Sequence, residues 1–431
     1  MPSILNGSEG VTVKKALPIM ALFIPKQINI PNRRYDLDWL RVIVFGLLIF
    51  YHTGMLYVAN WGYHIKSQYL SEGLANVMLL LSPWRMAVLW LISGIAIRFV
   101  LVKVPLLQFI GLRSIRLLLP LLFAILVIIP PQLYYEMTFN GDLNLSYWQF
   151  YKAFFVNDHE LFINYQPGIW PHIDVNHLWY LRELWQYSLF LVPLLPLLNS
   201  RFIEKLTNKL FSLNAVVAIL LVVMPIFIIQ LSMESDQHRN ALGFICLIYG
   251  YLIGWHPVFW QRVTEHYKKL LIISLVLYLS LITFYNLVWL GADENTNKVL
   301  LVAGNFLYSL DRVLWVLAVM GLASRYLNKP SKQLSYLSDA VYPYYIVHQT
   351  IIIAVGFELS RFSLGIALEG VLVLLISFAA CIATFEIIRR VELLRVLFGV
   401  RLKHSYSPNI KKAGYFIAAV IIIPFGLEIL L

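Results

Sequence analysis

An all-α, polytopic transmembrane bundle of ten to eleven helices is the fold class the sequence predicts, on three observations. Of its 431 residues, 60% are hydrophobic and only 13% are charged, about half the charged share of a soluble domain. Apolar runs of about 20 residues, the length that crosses a bilayer, recur along the chain between Pro, Asn, Asp or charge clusters. The basic residues, finally, are segregated between alternate connections, as in membrane proteins.

Residues 1–35 are expected to form a cytoplasmic N-terminal tail. Residues 17–25 (LPIMALFIP) follow Lys14 and Lys15 like a signal-peptide core, but no small-residue cleavage site follows them. Residues 36–412 form the membrane domain, and 413–431 a further C-terminal transmembrane helix. The eleven expected spans are 39–58, 76–98, 115–133, 177–198, 211–231, 241–260, 270–290, 299–323, 336–356, 364–388 and 413–431. With the N-terminus in the cytoplasm, 25 of the 34 basic residues fall on the inner side and five on the outer; the other four are Arg41, Arg85, Arg182 and Arg312, within or at the ends of spans. That asymmetry is the positive-inside pattern. It accounts for the net charge of +11, so no nucleic-acid partner is required. Cys246 and Cys381 both lie in apolar runs, which gives neither a disulfide framework nor a metal site.

The longest outer segment, about 134–176, carries Glu136, Asp142, Asp158, Glu160 and Asp174 among many Tyr, Trp and Phe residues. Two readings stand side by side. The aromatics face water and stack on sugar rings, or the segment folds as a cap over the bundle mouth.

Ionisable groups inside a span are costly and tend to mark functional sites. In "DLDWLRVIVFGLLIFYHTG", Arg41 and His52 are eleven positions apart. That is close to three full turns, so they share one helix face and lie roughly 16 Å apart along it. Arg41 is expected at the cytoplasmic entrance and His52 around mid-membrane. One face thus joins an anion site to a buried base, an arrangement suited to a long anionic donor threaded from the cytoplasm. Residue types alone equally allow Arg41 to reach the headgroups and His52 simply to pack. Arg85 is expected in the outer half of the second span, His177 at the outer mouth of the fourth, and His348 at a depth similar to His52. Together they predict a polar cavity. Arg113 and Arg116, three apart at the start of the third span, share a face and suit phosphate oxygens, although topology alone also explains basic residues there.

Arg41 with His52 ten residues beyond it, "RMAVLWLISG", Arg113 with Arg116, "HLWYL" and "YPYYIVHQT" follow one another between residues 36 and 350. In this order they resemble the acyltransferase-3 family of integral membrane acyltransferases. "HLWYL" and "EIIRRVELLRVLFG" look most like the branch of glucan biosynthesis protein C, a periplasmic glucan succinyltransferase. The resemblance implies that His52 is catalytic, that Arg41 helps hold the donor, and that Arg113 and Arg116 meet the phosphates of acyl-CoA. It also matches His348 and His177 to motif histidines. The chain departs from relatives with a Trp-Ser-Leu-type motif ending in Glu, since "LWYLRE" spaces Trp179 and Glu183 differently.

The expected activity is transfer of an acyl group, acetyl or succinyl, from acetyl-CoA or succinyl-CoA to a hydroxyl of an extracytoplasmic glycan. Acyl-CoA is a donor substrate, and no permanently bound cofactor or metal is expected. His52 acts as general base, Arg85 or His348 stabilises the oxyanion, and the acceptor passes His177 and Arg85. A route through acyl-His52 stays open. The lipid bilayer of the bacterial inner membrane is the implied location. The alternative is a secondary transporter or flippase for an anionic or glycan substrate, using Asp311 and Arg312.

Overall fold

The computed structural model describes residues 23–25, 33–156, 159–165 and 175–402, with isolated positions at 408, 409, 412 and 416. Most of the N-terminal tail and the expected 413–431 helix lie outside the described residues. In chain order the helices are α1 (Tyr35–Met55), α2 (Leu74–Leu79), α3 (Arg85–Lys103), α4 (Leu106–Val127), α5 (Pro130–Asn140), α6 (Tyr147–Ala153), α7 (Trp179–Leu198) and α8 (Arg201–Ser212). They continue as α9 (Ala215–Ser232), α10 (Ser235–Ile253), α11 (Pro257–Leu287), α12 (Lys298–Tyr326), α13 (Lys332–Leu359), α14 (Ile366–Ile388) and α15 (Glu392–Leu397). No strand occurs among the described residues, so the fold is the expected all-α bundle.

Among the described residues, eight helical stretches are long and apolar enough to cross a membrane. Helices α7 and α10, 20 and 19 residues long, complete a correspondence with the ten expected spans that lie in the described region. Their N-terminal turns carry Arg182 with Glu183, and Asp236 with Arg239, which lowers their hydropathy. Boundaries differ most where proline intervenes. The second span begins at Arg85 rather than 76, because α2 ends before Ser82–Pro83 and α3 restarts beyond the break. Arg85 therefore opens α3 at its outer end. The third span begins at Leu106, just after Pro105, so Arg113 and Arg116 sit two to three turns inside α4 rather than at its start.

Helix α1 is central, packing on α13, α12, α14 and α3; α4 packs on α7, and α5 on α13. By contrast α9 and α11 bury little, and Val216, Ile228, Ile272 and Leu279 turn outward, as lipid-facing helices should. Helix α8 buries no residue and alternates Arg201, Lys205 and Lys209 with outward Phe202 and Leu206, the pattern of an interfacial helix.

Two connections shape the outer mouth. Residues 57–73 are stapled at three points: the Val58–Ser71 bridge, Lys66 Nζ donating to Met55 O (2.8 Å) and Val58 O (2.6 Å), and Ser67 Oγ donating to Glu369 Oε1 (2.7 Å). The lysine satisfies carbonyls that the end of α1 leaves open. The acidic segment after α4 folds as α5, α6 and a short turn at Glu160–Phe162. Tyr134, Tyr147, Phe150, Phe154 and Phe162 pack edge to face with one another. These aromatics form the core of a cap, while Trp148 is 71% exposed. Asp158 and Asp174 lie outside the described residues.

Candidate active site

Three histidines from three parts of the chain meet. His52 lies in the last turn of α1, His348 in the second half of α13, and His177 in the turn Asn176–Leu178 that leads into α7. Ring centroids are 5.1 Å apart for His52 and His348, and 5.2 Å for His348 and His177. His52 stands about 25 Å above the start of α1 and near its end. The chain turns away just beyond it, at Leu56. Its ring points into the protein: Tyr63 stacks over it at 6.1 Å. Burial and the nearby Glu136 hold the Tyr63 phenol well above its ordinary range, so its unpartnered, enclosed hydroxyl keeps its proton.

Hydrogen bonds fix the tautomers of two of the rings. His348 Nδ1 lies 2.8 Å from Tyr345 O, and a carbonyl can only accept, so Nδ1 carries the proton. His348 Nε2 is then a buried lone pair with no partner. His177 Nε2 donates to Ile346 O (3.0 Å), and its Nδ1 accepts from Gln132 Nε2 (3.3 Å). Both nitrogens of His177 are thus committed, and it buttresses its neighbours instead of offering a free ring nitrogen. On His52, Nδ1 is buried without a partner, while the half-buried ring leaves Nε2 facing open space.

Arg85 stands beside this cluster. Its guanidinium carbon lies 3.3 Å from the centre of the Tyr51 ring, and its Nε and Nη1 are buried without acceptors. Its charge reaches the His52 ring. A cation with unsatisfied donors beside an imidazole is what a developing oxyanion requires.

The other end of the site is also assembled. Arg41 shares α1 with His52; its side chain is 38% exposed and lies 3.8 Å from Asp38. Arg41 and half-buried Arg113 both act electrostatically on the Tyr180 hydroxyl, so α1 and α4 bring the two cations around one point. Arg116 is exposed, and its carbonyl accepts from Tyr342 Oη at 2.9 Å. Between the cations and the histidines, Phe45 packs edge-on against Tyr345 (5.3 Å) and Tyr180 (6.1 Å).

Sequence reasoning missed a polar network that surrounds the histidines. Gln349 Nε2 lies 2.9 Å from Asn176 Oδ1, 3.0 Å from His64 Nε2 and 3.3 Å from Gln132 Oε1. His64 Nδ1 is paired with Glu136, which makes its Nε2 the acceptor. Gln132 also donates to Thr350 Oγ1 (2.6 Å). Asn176 has a left-handed backbone (φ 48°), and its Oδ1 accepts from the His177 N–H at 2.7 Å, a local bond that favours this conformation. Replacing Gln349 by leucine takes the donor from His64 Nε2 and from the buried Gln132 Oε1, while Asn176 Oδ1 keeps its bond to the His177 N–H. It is expected to cost about 1–3 kcal/mol, read as a lower Tm of the detergent-solubilised protein; an unchanged Tm would show that these bonds are not made.

Two further residues flagged by the sequence are structurally engaged. Glu183 is wholly buried and accepts from Tyr187 Oη (3.0 Å) and Arg239 Nε (3.3 Å), tying α7 to α10. Arg312 donates to Pro83 O (2.9 Å) and Gln230 Oε1 (3.4 Å).

Neither a curated protein nor a solved structure matches this chain. A sequence model described as an acyltransferase domain matches residues 34–386, a stretch that contains Arg41, His52, Arg85, Arg113, Arg116, His177 and His348. The chain belongs to the acyltransferase-3 family and is a multi-pass membrane protein of acyl-transfer type.

Proposed function

We propose that the protein transfers an acyl group from cytoplasmic acyl-CoA to a hydroxyl of an extracytoplasmic glycan, with His52 as general base. The observation that carries this reading is the pair of unpartnered nitrogens, His52 Nδ1 and His348 Nε2, in rings 5.1 Å apart. In this reading the lone pair of His348 accepts from His52 Nδ1–H once substrate is bound, since catalytic hydrogen bonds often close only then. That contact sets the proton of His52 on Nδ1 and leaves Nε2 as the base, a role suited to an imidazole near neutral pH. His348, acceptor-only at Nε2, orients the base, and the oxyanion falls to Arg85.

In the reaction the acceptor hydroxyl gives its proton to His52 Nε2 as its oxygen attacks the thioester carbonyl. The tetrahedral oxyanion forms against Arg85. The carbon–sulfur bond then breaks, and the thiolate of CoA takes the proton from His52. Arg41, Arg113 and Arg116 hold the nucleotide phosphates, and the pantetheine arm runs past Phe45, Tyr180 and Tyr345. The acceptor arrives from the opposite side, between the cap and residues 57–73. The reading implies a bacterial inner-membrane location with the basic face in the cytoplasm.

Mass spectrometry of surface glycans from cells with and without the gene tests the reading. A mass difference of one acyl group that disappears with the gene is expected, and its size identifies the acyl group; identical spectra would reject the glycan acceptor. Arg113→Ala combined with Arg116→Ala is expected to raise the KM for acyl-CoA by about 10–100-fold, the loss from two contacts of about 0.7–1.4 kcal/mol each, with kcat little changed. An unaltered KM would remove both from the donor site.

A further inference from the structure

A cleft of about 850 Å³ opens on the basic face of the bundle, and nothing in the acyl-transfer site uses it. Four cations, Lys332 on α13, Arg389 and Arg390 at the end of α14 and Arg395 on α15, line it with two carboxylates, Asp339 on α13 and Glu392 on α15. The positive charge is incompletely matched. Glu386 alone pairs with both Arg389 (2.9 Å) and Arg390 (3.1 Å). Arg395 Nε is buried without a partner, and Nη2 of the same residue donates to Arg401 O. No carboxylate pairs with Lys332 among the described residues.

Helix geometry turns this cleft away from the histidines, although it lies near Arg116: Gly399, which precedes the lining residue Val400, faces the Arg116 carbonyl. Positions 332, 336 and 339 recur at spacings of four and three, the signature of one face. His348 lies nine residues beyond Asp339, about 180° round the helix at ~100° per residue. Arg41, Arg113 and Arg116 are absent from the lining. The cleft instead sits where α13 begins and α14 ends, at the ends of two helices long and apolar enough to cross a membrane. Its rim is apolar and outward-facing: Ile387 is 57% exposed, Val391 44% and Leu393 67%. Cations within and apolar side chains outside match an anionic phospholipid, and basic pockets between transmembrane helices bind such headgroups.

We infer that the α13–α14–α15 cleft binds the phosphate headgroup of an anionic phospholipid, with Lys332 and Arg395 as its principal contacts. Native mass spectrometry of the full chain released from phosphatidylglycerol or phosphatidylcholine nanodiscs tests this, alongside acyl transfer measured in both. The wild type is expected to retain phosphatidylglycerol and shed phosphatidylcholine. Retention should fall by about thirtyfold in Lys332→Gln/Arg395→Gln, the loss expected for two basic contacts at a lipid surface, with the KM for acyl-CoA unchanged. Equal retention of both lipids by the wild type would overturn the assignment whether or not the variant folds. Displacement of the lipid by ADP, together with a raised donor KM in the variant, would overturn it in favour of a nucleotide site. Because lipid retention is read without catalysis, it stands or falls separately from the acyl-transfer reading.

Discussion

His52→Ala is expected to abolish measurable acyl transfer from labelled acyl-CoA in isolated membranes while the protein still inserts and folds. Loss of a positioned general base removes about 10²–10⁴-fold in rate. The ring borders open space on one side and packs against Tyr63 and His348 on the other, so its truncation disturbs chemistry more than packing. The companion His348→Gln separates the two roles. A glutamine presents a different hydrogen-bonding end at this depth, so His52 loses the fixed acceptor that sets its proton. A fall in kcat at unchanged donor KM is expected there. Wild-type rates in His52→Ala would dismiss the base assignment outright.

The second large effect is structural, at the crossing of α3 and α10. A β-carbon on Gly94 would lie 1.9 Å from Leu247 O, and one on Gly250 would lie 1.9 Å from Leu91 O. Each glycine meets the backbone of the opposite helix, which has no rotamer to move. Small residues that let backbones touch are the usual basis of close helix pairing in membranes. Gly94→Val or Gly250→Val is therefore expected to destabilise by about 3 kcal/mol or more, the upper end of overpacking costs. The measurement is thermal unfolding in detergent. Gly46→Ala serves as the control, since nothing lies within 4 Å of the added carbon, and a helical Gly→Ala exchange is neutral or favourable. Similar Tm values for Gly94→Val and Gly46→Ala would show that α3 and α10 do not cross this closely. Because α3 opens with Arg85, separating these helices should also weaken catalysis.

How much of this was legible in the sequence depended on which physical signal each residue carried. Hydropathy and charge asymmetry announce long helices, because a span must be apolar over its whole length. The misplaced edges lie at Ser82–Pro83, where apolar residues continue through a break and hydropathy stays silent, and at 99–114 and 257–269, where helical turns carrying Arg and Lys read as connections. Arg41 and His52 were readable because an ionisable group stands out in an apolar run. His64, Gln132, Glu136 and Gln349 were not, since two neutral amides and a histidine and carboxylate outside the apolar runs are unremarkable singly. Their meeting depends on tertiary packing of α5 against α13. The commitment of both nitrogens of His177 was equally hidden, as one partner is the backbone carbonyl of Ile346.

The three-point stapling of residues 57–73 divides the outer mouth into a fixed wall and a variable one. Tyr63 and His64 hang from the anchored side, whose side-chain bonds reach α1, α5, α11, α13 and α14, so alteration there propagates to the imidazoles. The opposite side, from α6 to the turn at residue 162, holds itself together by its own aromatic contacts. New acceptor preferences can consequently evolve by remodelling that side alone, leaving the thioester chemistry inherited intact.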